Sequence, residues 1–87
     1  MIGRRVYPRD DGILYLQEGD YGLDIRDNSW YGRPPGHHAG SFKQHDVIEH
    51  EDGAITVSPS ILLTDFDDNG EKVIWHGYLE HGVWREV

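Results

Sequence analysis

Cysteine is absent from the 87 residues, so neither a disulfide nor a thiolate metal site holds this chain together. A cysteine-free chain tolerates either redox state, which leaves the compartment open. Long apolar runs are missing too. None approaches the roughly 20 residues of a membrane span, and no membrane partner is expected. The opening MIGRRVYPRDDG has arginines but no apolar stretch behind them, so no signal peptide is expected and the protein should stay where it is made. Helical periodicity is equally scarce. No window of about a dozen residues repeats apolar side chains at three–four spacing, and 11 Gly and 4 Pro interrupt the chain. Basic side chains are rare in the second half. Residues 46–87 hold only Lys72 and Arg85 against ten acids, whereas residues 1–45 balance six basic and six acidic side chains, so the second half carries the whole net charge of −8. An acidic half repels phosphate, which argues against direct nucleic-acid binding and suits a partner with a basic face.

What is present is strand signal. Short runs rich in β-branched and aromatic residues recur at 4–7 (RRVY), 13–17 (ILYLQ), 45–50 (HDVIEH), 54–58 (AITVS), 60–64 (SILLT), 71–80 (EKVIWHGYLE) and 83–87 (VWREV). Turn residues separate them: Asp11-Gly12, Asp52-Gly53, the run DFDDNG, and His81-Gly82. An X-Gly pair between apolar runs is a hairpin signal, because the tight turn needs positive φ. The chain is therefore expected to be a single all-β domain, residues 1–87. It should have six or seven antiparallel strands in a meander, folded as a small sandwich or part-open barrel with little or no helix. The expected core is Ile13, Leu16, Val47, Ile55, Val57, Ile61, Leu63, Val73, Trp75, Leu79 and Trp84. Pro59 cannot donate to a ladder, so a bend or bulge at a sheet edge is expected there.

Residues 28–45 (NSWYGRPPGHHAGSFKQH) have no periodicity and read as an irregular loop. This stretch carries Trp30, Tyr31, Arg33, Phe42 and Lys43 and no acid, and aromatic residues with Arg dominate binding hot spots. These five are the candidate partner-binding residues, with packing of the loop on the protein itself, or stacking on single-stranded nucleic acid, as the alternatives. A second candidate surface is acidic: Asp46, Glu49, Glu51, Asp52, Asp65, Asp67, Asp68 and Glu71, which on one face at phosphate-like spacing would mimic DNA.

Metal and catalytic signals are weaker. DFDDNGE places Asp65, Asp67 and Asn69 at alternate positions with Gly70 sixth, as in an EF-hand loop, but the twelfth position is His76 in place of the bidentate Glu. The same residues suit a tight turn. Six His are present, of which His50 and His76 are the candidates for a His-based metal site. Ser58 and Ser60 flank Pro59 without a nucleophile elbow, and no Gly-rich phosphate motif is present. No cofactor and no enzymatic activity are expected.

The blocks EHEDGAITVSPSILLT and WHGYLEHGVWREV, within about Val47 to Val87, resemble a family of small proteins encoded by bacteriophages of actinobacteria. The resemblance implies phage origin, action in the bacterial host cytoplasm or in the virion, and a fold carried by these blocks. It implies no catalytic residues. The expectation is a non-enzymatic protein working by protein–protein contact, as a small virion component or a modulator of a host factor, with self-association open to it. The alternatives are the acidic DNA mimic, blocking a host nuclease or defence complex, and a His-based metal-binding protein.

Overall fold

His81 and Gly82 both take positive φ, 45° and 76°, and this turn joins the last two strands as the X-Gly pair requires. The computed structural model describes residues 1–87 and is built from strands and turns alone. Eight strands are present: β1 (Arg4–Arg5), β2 (Asp20–Asp24), β3 (Ser29–Gly32), β4 (Gly40–Ser41), β5 (Asp46–Glu49), β6 (Ile55–Phe66), β7 (Lys72–Glu80) and β8 (Val83–Glu86). They form two four-stranded sheets, each in chain order, β1-β2-β3-β4 and β5-β6-β7-β8. All pairs are antiparallel except β1 and β2, which are parallel. The chain is all-β, and its sheets do not close into a barrel.

The second sheet follows the period-two pattern of its sequence. Ile55, Val57, Ile61, Trp75, Leu79 and Trp84 point inward and are buried, with Val47 and Leu63 packed against them. Burying each such side chain stabilises the fold by roughly 1.5–3 kcal/mol. Trp84 is central. Its ring meets Trp75 edge-on, with centroids 5.5 Å apart, and its indole N–H donates at 2.9 Å to the carbonyl of Gly19, the residue before β2.

Three expectations are corrected. Residues 13–17 form no strand. The Arg9 N–H donates to the Ile13 carbonyl and the Asp11 carboxylate accepts from the Ile13 N–H, so this stretch is tied into its own turn. The partner of β1 is β2, whose sequence DYGLD looks too polar for a strand. Its two acids are buried because each accepts a two-pronged bond from an arginine. Arg4 reaches Asp20 at 3.2 and 3.1 Å, and Arg26 reaches Asp24 at 3.2 and 2.9 Å. Residues 28–45 are not one irregular loop but contain β3 and β4. In the core, Tyr21 and Phe42 take places expected for Ile13, Leu16 and Val73, which are only half-buried.

The amino-terminal residues join the two sheets. Ile2 bridges Val83 on the free side of β8, with the Trp84 N–H donating to the Met1 carbonyl at 2.8 Å, and Arg4 and Arg5 then pair with β2. Around Pro59 the β6–β7 register slips. Val57 faces Leu79 and Ile61 faces Gly77, four steps on β6 against two on β7. β5 ends with Asp46 opposite Ser58. From Pro59 onward β6 therefore has a neighbour on one side only, where a missing donor costs nothing.

Candidate functional site

The five aromatic and basic residues of the 28–45 stretch do not make one surface. Phe42 is 2% exposed and sits in the core against Trp84, which corrects its expected role in partner binding. Arg33 is half-buried and donates from Nε to the His37 carbonyl at 2.9 Å, so it holds its own loop. Trp30 and Tyr31 are neighbours on β3 and point to opposite faces, as successive strand residues must. Trp30 lines a cavity of about 280 Å³ with Phe42, Lys43, His45 and Val47, and the Arg5 guanidinium lies 4.8 Å from its ring centroid. Tyr31 lines another, of about 300 Å³, with Leu14, Leu16, Asp24, Arg26 and Ala39. Its hydroxyl donates to Asp27 at 2.5 Å, and Lys43 Nζ stands 3.3 Å from the same carboxylate. These contacts hold the Asp27 carboxyl below its ordinary range, the Tyr31 hydroxyl contributing most, and raise Tyr31 and Lys43. The stretch packs largely on the protein itself.

The carboxylates also divide. Glu49, Glu51 and Asp52 lie at the β5–β6 turn, and Asp65, Asp67, Asp68 and Glu71 at the β6–β7 turn. The run of β6 between them spans roughly 30 Å at strand rise. No carboxylate lies on β6 between Ile55 and Thr64, so the acids stand as two separate clusters. Glu49 is moreover paired with Arg5 at 2.6 Å and Asp52 with His81 at 2.9 Å. In the DFDDNGE turn the Asp67 Oδ1 accepts from the Asn69 and Glu71 N–H groups, both at 2.9 Å, the behaviour of a turn-capping aspartate.

The histidines are dispersed. His50 bonds Thr56 Oγ1 at 2.7 Å, and its ring stacks on His81 with centroids 4.1 Å apart. His76 lies opposite Leu62 near the other end of β6, its Nε2 3.2 Å from Ser60 Oγ. His50 and His76 therefore do not meet. No three His, Asp or Glu side chains converge in a metal-binding arrangement.

A surface the sequence reading passed over lies on the outer face of the β6–β7 hairpin. Leu62, Phe66 and Ile74 are 60%, 61% and 52% exposed. Leu62 faces His76, Thr64 faces Ile74 and Phe66 faces Lys72, so the three apolar side chains are diagonal neighbours in one stripe. The signal was present in sequence, because Ile74 and Leu62 add apolar bulk to the strand face that does not build the core. The stripe borders the unpaired edge of β6. Val87 donates its N–H to the His76 carbonyl from the β8 side. Antiparallel alternation then turns the odd-numbered residues of β7 toward β6 and leaves the main chain of Leu62 and Thr64 facing outward. No bond outside the ladder engages either residue. Compared with family models, with curated proteins and with solved structures, the chain matches none, and its function has to be read from this surface chemistry.

Proposed function

We propose that this chain is a non-enzymatic, phage-encoded protein that works by contact with another protein, in the virion or in the bacterial host cytoplasm. The observation that carries the reading is the exposed stripe of Leu62, Phe66 and Ile74 on a sheet whose opposite face already supplies the core. Apolar side chains scattered singly on a surface are ordinary, whereas a contiguous stripe marks an interaction site. It asks for no cofactor. The resemblance of residues 47–87 to actinobacteriophage proteins supports the setting.

The test is affinity capture with the wild-type chain and with a variant carrying Leu62→Lys, Phe66→Lys and Ile74→Lys, from phage-infected host lysate and from disrupted particles. The wild type retains a partner that the triple variant loses while keeping its fold. A triple variant that holds every partner removes the assignment. Mass spectrometry of purified particles separates a virion component from an intracellular effector.

A further inference from the structure

We propose that the open edge of β6, from Ile61 to Asp65, is a strand-addition site; the Ser60 carbonyl, bonded by His45, and the Phe66 N–H, bonded to Asp65, mark its two ends. Its occupant is an extended segment of a partner protein with apolar side chains at alternate positions and lysine or arginine at its amino-terminal end. This rests on the contact reading above and specifies how the contact is made.

Three features meet at this place. The N–H and C=O groups of Leu62 and Thr64 face away from β7 with no strand beside them, because β5 stops at Asp46 opposite Ser58. An unpaired row of this kind is a template for another strand, and main-chain bonds then supply affinity while alternate side chains supply selectivity. The added strand would set every second side chain beside Leu62 and Phe66, with Ile74 one strand further in, all of them already exposed. At the Phe66 end the edge runs into Asp65, Asp67, Asp68 and Glu71, none of which is in an ion pair, as Lys72 is not. That imbalance calls for cations on the incoming segment. Antiparallel pairing is the more stable arrangement, and it brings the amino-terminal end of the segment to the acidic turn.

A second copy of the chain fits this edge poorly. Two-fold pairing about Leu63 sets Asp67 of one copy beside Pro59 of the other, next to the Asp46 that begins β5. Residues 46–87 offer only Lys72 and Arg85 in return, and each copy carries a net charge of −8. Like charges brought together in this way select against the pairing.

The probe is a nonapeptide of three lysines followed by alternating threonine and valine, compared with the same peptide carrying three glutamates. Both are titrated into ¹⁵N-labelled protein and followed by amide spectra and hydrogen exchange. The lysine peptide is expected to shift the Leu62 and Thr64 amides and slow their exchange. It should bind at least about tenfold more tightly than the glutamate peptide at low salt, a preference that shrinks as salt screens the charges. Thr64→Pro removes an outward donor without touching the β6–β7 ladder, and it should abolish binding with the rest of the spectrum unchanged. If that variant fails to fold, amide protection in the wild type and the lysine–glutamate comparison still decide. Perturbation elsewhere, equal affinity for the two peptides, no binding of either, or undiminished binding by folded Thr64→Pro overturns the proposal. A dimer in sedimentation that blocks the peptide would make a second copy the occupant and overturn it as well. If the triple-lysine variant loses its captured partner while Thr64→Pro keeps it, the contact reading stands and strand addition falls.

Discussion

Phe42 and Trp84 meet between the two sheets, their ring centroids 6.5 Å apart and their planes inclined by 51°. One comes from the aperiodic 28–45 stretch and the other from the last strand, so this contact joins the least regular part of the chain to the most regular. Phe42→Ala should cost about 3–5 kcal/mol, the usual range for emptying a buried aromatic site. Urea unfolding followed by tryptophan fluorescence measures it. A cost within that of a surface substitution would show that the stretch is not part of the core.

Gly32 lies flat against the same ring. A Cβ placed there would stand 2.5 Å from the Phe42 ring and 2.9 Å from Trp84. Gly32→Ala is therefore expected to destabilise by about 1–3 kcal/mol through overpacking. Because the obstruction is Phe42 itself, the same substitution in a Phe42→Leu background should cost less. A double-mutant cycle reads the coupling, and strict additivity would contradict it.

Arg5 is largely enclosed by its neighbours. Its side chain is 13% exposed, its guanidinium lies over both Tyr7 and Trp30, and it donates to the Glu49 carboxylate and to the Gly53 carbonyl. Arg5→Ala should lower stability by about 1–2 kcal/mol. Arg5→Lys should recover only part of this, since an ammonium does not reproduce the flat stacked fork. Chemical unfolding of the two variants side by side makes the comparison, and full recovery by lysine would refute the stacking argument.

Four carboxyls titrate below their usual 3.8. The Ile13 N–H holds Asp11 down, Arg26 holds Asp24, the Tyr31 hydroxyl holds Asp27, and His81 holds Asp52. A depressed folded value means that the unfolded chain takes up protons first. Their contribution is therefore complete above about pH 5 and disappears as pH falls below 3.8 and through the folded values. Tyr21 works in the opposite direction. Burial raises it above 10.0, so its contribution is present below pH 10 and is lost as pH climbs through the higher folded value. The urea midpoint should thus fall at both extremes. Tyr31 and Lys43, raised by Asp27, act in the same sense, so Tyr21→Phe should lessen the alkaline fall without removing it and leave the acid side as it is, and an unchanged alkaline limb would remove Tyr21 as a cause.

The second sheet was legible because its strands alternate cleanly and its turns carry Asp52-Gly53, Asn69-Gly70 and His81-Gly82. The first sheet was not, and the reason lies in particular side chains. DYGLD owes its strand to Arg4 and Arg26, which neutralise Asp20 and Asp24 from outside the segment. ILYLQ has the apolar content of a strand but finds no ladder, since residues 4–6 bond to Gly19 and Tyr21 instead. Phe42 stands among Gly, His and Lys with no period to betray it. The candidate site followed the same logic. Composition drew attention to the aromatic-basic stretch, most of which serves packing, while Leu62 and Ile74 sat inside runs read for their core-facing residues and Phe66 inside the run DFDDNG, read as a turn.

The bridge between Ile2 and Val83 has a kinetic consequence. The Met1 amino group and the Trp84 carbonyl meet across 83 positions of sequence, and the same pairing seals the side of β8. The main chain of residues 1–3 has this partner only once the β7–β8 hairpin has formed. Contacts of such long sequence range slow folding toward the millisecond-to-second regime, and the seam closes only once residues 1–3 and 82–84 have come within reach of one another.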